Sequence, residues 1–175
     1  DPAPDLALAF LGTTYPGGST ALDSHRIDEV DQTRSVDAQR LHALPQYGDR
    51  VYGRALPVSG GTILQYWFWY YNNPKSFFTF GEHEGDWEMV QLRLDNSGTL
   101  QSAVYAQHDT AEKCVAAQVS RTPSGRPIVY AAEGSHASYF WAGDHKIVVS
   151  GWPDQWDYGD GLGGTIAPSL IDLAV

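Results

Sequence analysis

The chain has 175 residues, of which 42% are hydrophobic and 18% charged, and its formal net charge is −10. This length suits one domain with its own core, so we predict that residues 1–175 form a single domain. The acidic balance excludes a general nucleic-acid-binding protein, which neutralises phosphates with Lys and Arg, and the lone Cys114 excludes a disulfide framework.

Residues 1–50 are punctuated by proline and glycine and are predicted to be an irregular N-terminal part. Within it, Asp5 to Leu11 is either a strand or one buried helical turn. Ser35 to Leu44 predicts a short helix, because Ser35 suits the N-cap and Pro45 ends the pattern.

Residues 51–150 predict the core of the fold, as short apolar or alternating runs separated by turn signals. Asp95 to Gly98 has the composition of a hairpin turn. Residues 151–175, rich in Gly and Trp, are predicted to be a loop. We therefore predict an all-β fold, an antiparallel β-sandwich with long loops and at most one or two short helices. The predicted strands are Val51–Leu56, Thr62–Tyr71 (apolar on both faces), Asp86–Leu94, Thr99–His108, Val115–Val119, Pro127–Ala132 and Lys146–Ser150.

The segment Gly81 to Glu88 (GEHEGDWE) holds four carboxylates and one imidazole within seven residues. Side chains alternate along a strand, so Asp86 and Glu88 share a face with Val90 and the apolar residues that follow. Their Cα atoms are about 6.6 Å apart, close enough for both carboxylates to reach one ion. Since an unpaired buried carboxylate is costly, a divalent cation at the mouth of the sandwich is the favoured interpretation. The alternative is a solvated acidic strand end.

Further polar side chains lie at predicted strand ends, where functional residues are common. His108 ends one strand and His136 follows another, and both are candidate general acids or bases. Glu82 and Glu84 are candidates to support or bind the ligand, as are two polar residues elsewhere, Asn73 and Ser135. A serine nucleophile is disfavoured, because no Gly-x-Ser-x-Gly turn surrounds Ser135.

Carboxylate and imidazole ligands together suit Mg²⁺, Ca²⁺, Mn²⁺ or Zn²⁺, without choosing among them. Three functions follow from such a site. The first is binding of a polar or phosphorylated headgroup of a lipid or glycan through the cation. The second is a metal-dependent hydrolase of the phosphodiesterase or phospholipase type, with His108 or His136 moving a proton. The third is a cation that only stabilises the fold.

Four segments occur in an order that resembles the vacuolar protein sorting-associated protein 62-like family, in its bacterial branch. The likeness covers roughly residues 50–145, and members of the family run longer at both ends. It implies one piece of a processed precursor, with a second chain as a candidate partner. The matching segments are Leu64 to Tyr71 (LQYWFWYY), Gly81 to Glu88, Tyr105 to His108 (YAQH) and Val129 to Tyr139 (VYAAEGSHASY).

The segment Gly81 to Glu88 is also distantly similar to the Gly-His-x-His-Asp-Trp-Glu signature of the necrosis-inducing (NLP) cytolysins. That resemblance implies a β-sandwich whose divalent metal engages a sphingolipid sugar headgroup, with His83, Asp86 and Glu88 as metal ligands. Gly85 and Glu84 depart from the signature, and an upstream acidic ligand has only Asn73 as its nearest counterpart. A membrane lipid is the implied partner. Acidic charge, few lysines and many Trp, Tyr and Gly residues favour a secreted protein.

Overall fold

The computed structural model describes most of the chain from Asp49 onward. The two segments predicted at the N-terminus, Asp5 to Leu11 and the helix Ser35 to Leu44, lie outside the described residues apart from Ala43. The described residues are 43, 49–73, 83–107, 110–147, 155–159 and 166–173.

The chain divides into two compact units. The first comprises Asp1–Gly48 and Tyr70–Asp86, and its described residues are 43, 70–73 and 83–86. The second comprises Asp49–Trp69 and Trp87–Val175 and holds most of the described residues. One domain over residues 1–175 stays a prediction.

The described residues are almost entirely β-structure, which confirms the predicted all-β class. One turn of 3₁₀ helix at Ala116–Gln118 follows the fifth strand. No described helix has the length and hydropathy to cross a bilayer. The strands are β1 (Arg50–Val58), β2 (Gly61–Asn73), β3 (His83–Leu94), β4 (Leu100–Gln107), β5 (Thr110–Val115), β6 (Tyr130–Ala131), β7 (Ser138–Tyr139), β8 (Gly143–Ile147), β9 (Gln155–Gly159) and β10 (Ser169–Asp172).

Six strands form one sheet in the order β10-β1-β2-β3-β4-β5. The pairs β1–β2, β3–β4 and β4–β5 are antiparallel, and β10 pairs with β1 in parallel. Two small antiparallel ladders, β6–β7 and β8–β9, accompany the sheet. The antiparallel prediction is therefore confirmed for most of the sheet, and the parallel edge pair departs from it.

The turn between β3 and β4 follows its sequence. Asp95 accepts hydrogen bonds from the backbone N–H of Ser97 and of Thr99, both at 2.9 Å. The Ser97 hydroxyl donates to the same carboxylate oxygen at 2.6 Å, and Gly98 takes a positive φ of 81°. An aspartate that satisfies backbone donors ahead of it, with glycine in the left-handed region, is the chemistry of a tight turn. The predicted hairpin is confirmed.

One face of the sheet packs into the core of the second unit. Tyr105 is fully buried and stacks on Phe140, with ring centroids 3.8 Å apart and planes 12° apart. The Tyr105 hydroxyl donates to the Ile128 carbonyl at 3.0 Å, which satisfies its polar atom inside the core. The buried residues of this core are Val90, Leu92, Leu100, Ala103, Tyr105, Cys114, Val119 and Phe140.

The aromatic strand β2 lies in the middle of the sheet, as predicted, but only one of its faces is in the core. Leu64, Tyr66 and Phe68 pack against the core, whereas Trp69 is 38% exposed. The strand predicted to be central and apolar on both faces is thus central, with one face against the core and the ring of Trp69 on the other face in contact with solvent.

A strand over Val115–Val119 is wrong. Residues 115 and 119 would share a face of a strand, yet Val115 is 56% exposed and Val119 is 5% exposed. The chain instead turns through the 3₁₀ helix after β5.

The later strands agree only in part with their predictions. Within the predicted strand Pro127–Ala132 only β6 forms, since Pro127 has no N–H to extend the ladder and makes an isolated bridge to Arg121. The predicted strand Lys146–Ser150 begins three residues earlier, as β8, and residues 148–150 lie outside the described range. The tail contains β9 and β10, so the loop prediction for 151–175 is wrong there.

Candidate functional site

The acidic end of β3 alternates as the sequence predicts. Glu88 is 5% exposed and lies on the face that carries Val90 and Leu92, both buried. Trp87, on the opposite face, is 46% exposed. A carboxylate therefore begins the core face of β3, inside the second unit.

The predicted metal ligands belong to different units, and not all of their side chains are described. Asp86 belongs to the first unit and is half-buried, and Glu88 belongs to the second. His83 lies in β3 by its backbone, but its side chain is outside the described set. Among the side chains that the structure describes, no three of the types His, Cys, Asp and Glu are grouped closely enough to hold a metal. The ligand set His83, Asp86 and Glu88 stays a prediction.

Of the predicted supporting and catalytic residues, some lie outside the described set. These are Glu82 and His108, together with the side chain of Glu84. Asn73 ends β2 in the first unit.

Ser135 and His136 occupy a tight turn between β6 and β7 in the second unit. The turn is closed by the backbone bonds from Ala132 N–H to the Ala137 carbonyl at 2.9 Å and from His136 N–H to the Ala132 carbonyl at 3.1 Å. His136 has a φ of 59°, in the left-handed region of backbone conformation that residues other than glycine rarely adopt. The backbone thus fixes His136 in a conformation that costs about 1–3 kcal/mol, a feature concentrated at functional sites.

A buried carboxylate, Asp157 on β9, holds this turn. Asp157 is 4% exposed and accepts hydrogen bonds from the Ser135 hydroxyl at 2.7 Å and from the Tyr139 hydroxyl at 2.6 Å. The Ser135 hydroxyl therefore donates to a carboxylate, which is not the arrangement of a serine nucleophile activated by an adjacent histidine.

The pKa of the Tyr139 phenol is raised by burial and by several acidic groups. Burial raises its pKa above the usual 10, and the hydrogen bond to Asp157 raises it further. The negative charges of Asp157, Glu88 and Glu112 add to the same increase. Carboxylates on three strands, β3, β5 and β9, therefore contribute to the raised pKa of this one phenol.

The imidazole of His145, on β8, packs on the same phenol. The two rings are stacked at 3.7 Å with planes 7° apart, and His145 is 9% exposed. Its Nε2 lies 3.1 Å from the Trp141 carbonyl oxygen. His145 is thus a structural member of the cluster around Tyr139.

The polar residues on the inner face continue from Glu88 toward β5. The Gln107 amide donates to Glu112 Oε2 and to the Ser138 carbonyl, both at 3.4 Å. Ser138 is 1% exposed, and its Oγ has no hydrogen-bond partner among the described residues. Ser138 shares a strand face with Phe140, which stacks on Tyr105, so the hydroxyl points to the same side of β7. The Ser138 hydroxyl is thus a buried oxygen that could accept a hydrogen bond from a ligand or an ordered water.

Sequence reasoning missed Glu112, Gln107, Tyr139 and Asp157. Asp157 lies in the tail that was predicted to be a loop, and Glu112 lies in a strand, β5, that was not predicted. The alternation of Glu112 with the buried Cys114 is the one signal that points it toward the inner face.

Comparison with known proteins gives one family and several distant structures. No curated protein sequence matches the chain. A solved structure of NLPPya in complex with glucosamine is similar at 17% identity and a TM-score of 0.48, over 71% of this chain and 50% of that one. The non-toxic HaNLP3 protein is similar at 15% identity and a TM-score of 0.41, over 73% and 53%.

A third similar structure is Necrosis and Ethylene inducing Protein 2 from the causal agent of cocoa's Witches Broom disease. Its identity is 19% and its TM-score 0.40, over 70% of this chain and 50% of that one. The chain thus spans about half the length of these three structures. The family model described as vacuolar protein sorting-associated protein 62 matches residues 16–151, and the chain therefore belongs to that family.

Proposed function

We propose that this protein acts outside the cell as a divalent-cation-dependent binding protein for a polar or phosphorylated headgroup of a lipid or glycan. The observation that carries the proposal is Glu88, a carboxylate 5% exposed at the end of an otherwise apolar face. A divalent cation is one means of compensating a buried carboxylate, in addition to the interactions that the protein itself makes with Glu88.

The electrostatics around Glu88 support a cation. Burial is the largest cause of the raised pKa of Tyr139. The negative charges of Asp157, Glu88 and Glu112 raise that pKa further, which indicates that all three contribute negative potential at the same phenol. The Ser138 hydroxyl adds a buried oxygen without a partner among the described residues. Carboxylate and hydroxyl oxygens are the donor types that Ca²⁺ and Mg²⁺ prefer in proteins, which supports a cation of this kind in the proposal.

His83 and Asp86 are the further ligands in this proposal. The alternation of β3 gives Asp86 the parity of Glu88, and the sequence resemblance to the NLP signature assigns His83 beside them. An imidazole among carboxylates extends the acceptable ions to Mn²⁺ and Zn²⁺. When bound, the cation supplies the positive charge that a chain of net charge −10 lacks for phosphate or hydroxyl oxygens.

The direct test is cation-dependent thermal stability. The protein is treated with EDTA, dialysed, and titrated with Ca²⁺, Mg²⁺, Mn²⁺ and Zn²⁺ while its melting temperature is followed. A cation present at 100 times its Kd stabilises the folded state by about 2.7 kcal/mol, so at least one of the four should raise the melting temperature. Glu88→Gln should abolish that increase.

Glu133→Gln is the matched control, because Glu133 is exposed and the substitution removes the same charge outside the cluster. It should leave the cation response unchanged. The metal proposal fails if none of the four cations raises the melting temperature, or if Glu88→Gln responds like the wild type.

Headgroup binding is tested by cosedimentation with vesicles of phosphatidylinositol in phosphatidylcholine, in the stabilising cation or in EDTA. Binding should require both the inositol lipid and the cation. Equal binding to vesicles of phosphatidylcholine alone would contradict recognition of the headgroup.

A second candidate is a metal-dependent hydrolase of a phosphodiester or ester bond, favoured by the strained backbone of His136. A histidine fixed at a φ of 59° in a turn is a candidate general acid or base. Turnover of bis(p-nitrophenyl) phosphate or p-nitrophenyl acetate in the presence of the four cations, lost in His136→Ala, is the expected result. The absence of turnover with every cation would reject this candidate.

A further inference from the structure

The face of the sheet that is turned away from Glu88 carries a cluster of aromatic rings. We call the side chains of Tyr52, Trp69 and Trp87 the outer aromatic cluster. Trp87 is 46% exposed and Trp69 38%, and their ring centroids lie 4.9 Å apart. Tyr52 meets Trp87 edge to face with centroids 5.5 Å apart. All three residues belong to the second unit.

A row of planar polar side chains crosses the same face. Arg54 Nε donates to Gln65 Oε1 at 2.8 Å, and Gln65 Nε2 donates to Gln91 Oε1 at 2.9 Å. Arg54 has five N–H donors and this bond uses one, and the amide nitrogen of Gln91 brings two more donors. These hydrogen bonds therefore fix the three side chains and leave further N–H donors of Arg54 and Gln91 for a ligand.

The strand register places this row beside the outer aromatic cluster. Arg54 pairs with Gln65, and the neighbouring pair on that face is Tyr52 with Trp67. Successive rows on one face of a strand are about 6.6 Å apart. A ring of saccharide size that rests on the aromatic side chains can thus extend its substituents to the polar row.

The cluster lies apart from the cation site proposed above. Trp87 and Glu88 are adjacent on β3, so their side chains point to opposite faces, as their exposures of 46% and 5% show. Exposed apolar patches rimmed by polar groups mark binding surfaces.

We propose that the outer aromatic cluster and the row of Arg54, Gln65 and Gln91 bind an uncharged oligosaccharide. The C–H face of a pyranose packs on aromatic rings, and its hydroxyls accept from guanidinium and amide N–H groups. A net charge of −10 disfavours anionic lipid surfaces and nucleic acids as occupants, whereas a neutral sugar carries no charge to repel.

The tilt of the rings indicates the form of the ligand. The plane of Trp87 makes angles of 54° with Trp69 and 66° with Tyr52, so the rings do not form one flat strip. Such an arrangement suits a soluble saccharide chain whose units turn relative to one another, rather than the flat face of a crystalline polysaccharide.

The test uses cellohexaose, chitohexaose and mannohexaose, each titrated into the full chain by isothermal calorimetry. At least one should bind, and Trp69→Ala and Trp87→Ala should each weaken it by about five- to tenfold. Gln65→Ala should weaken binding as well, and Trp87→Phe should restore part of what Trp87→Ala loses, because it returns an aromatic face.

Trp156→Ala is the control, since Trp156 is 47% exposed on β9, outside the cluster, and should bind the sugar as the wild type does. Circular dichroism verifies that each variant is folded. The proposal is overturned if none of the three hexaoses binds, or if Trp69→Ala and Trp87→Ala both keep wild-type affinity. Binding of phosphatidylcholine vesicles through the same tryptophans, with no saccharide binding, would equally overturn it in favour of a membrane contact.

Discussion

The hairpin β3–β4 has a carboxylate at each end, and the two are satisfied in different ways. Asp95 lies in the turn, exposed to solvent, and accepts bonds from Ser97, Thr99 and Gln101. These bonds lower its pKa from the usual 3.8, the Ser97 hydroxyl having the largest effect. Glu88 lies at the far end, 5% exposed, on the face that packs into the core.

The difference separates an exposed acid that builds a turn from a buried acid on the core face of a strand. The partners of Asp95 all come from the next six residues, so its place follows from local turn chemistry. Glu88 acts instead across strands, since its charge raises the pKa of Tyr139 on β7 together with the charges of Asp157 on β9 and Glu112 on β5. Natural sequences depart from an apolar core chiefly where function requires it, which is why the Glu88 end is the candidate site.

Phe140 is buried in the core and stacks on Tyr105, and its substitution gives the largest expected effect. Phe140→Ala should lower the free energy of unfolding by about 3–5 kcal/mol, because it removes a ring that is 1% exposed and stacked on Tyr105. Urea denaturation followed by circular dichroism measures the change. Trp156→Ala, which removes a larger ring that is 47% exposed, should cost far less. Comparable losses for the two variants would show that Phe140 is not in the core.

Substitution of Tyr139 should change the free energy of unfolding by a smaller amount. Tyr139→Phe removes the bond from the phenol to the buried Asp157 carboxylate, so it should cost about 1.5–3 kcal/mol, the value for a hydrogen bond to a charged group. Tyr158→Phe, on a residue that is 54% exposed, is the control and should be nearly neutral. If the two substitutions had equal cost, Asp157 would not depend on the phenol.

The same variant has a signature in alkaline solution. A phenol whose pKa is raised on folding stabilises the protein below the ordinary value of 10, and that stability is lost as the pH rises above it. Burial also raises the pKa of Tyr105, with Cys114 adding to it, so both tyrosines weaken the fold at high pH. Tyr139→Phe should therefore lose less stability than the wild type between pH 9 and pH 11, by about the contribution of one tyrosine. Parallel pH profiles would contradict the shift.

How far the sequence predicts this molecule depends on how local the cause is. The Asp95 turn and the burial of Glu88 follow from residues a few positions apart, through turn chemistry and strand alternation. The pairing of β10 with β1 joins Ser169 to Arg50, and nothing near either residue encodes that contact. Asp157 was missed for the same reason, since its partner Ser135 lies 22 residues earlier in the chain.

Asp95 gives the smallest expected effect and the sharpest contrast with Glu88. Asp95→Asn keeps a turn-forming side chain but loses the charge, so it should lower the melting temperature slightly at pH 7. Because the folded-state pKa is below 3.8, the stability that the carboxylate contributes is present above that pH and is lost as the pH falls below it. The difference in melting temperature between wild type and Asp95→Asn should thus shrink in acid. Asp144 is an exposed acidic residue on β8, so Asp144→Asn is the control for simple loss of charge. A difference that stays constant down to about pH 2 would mean that the turn is held by its backbone and not by the carboxylate.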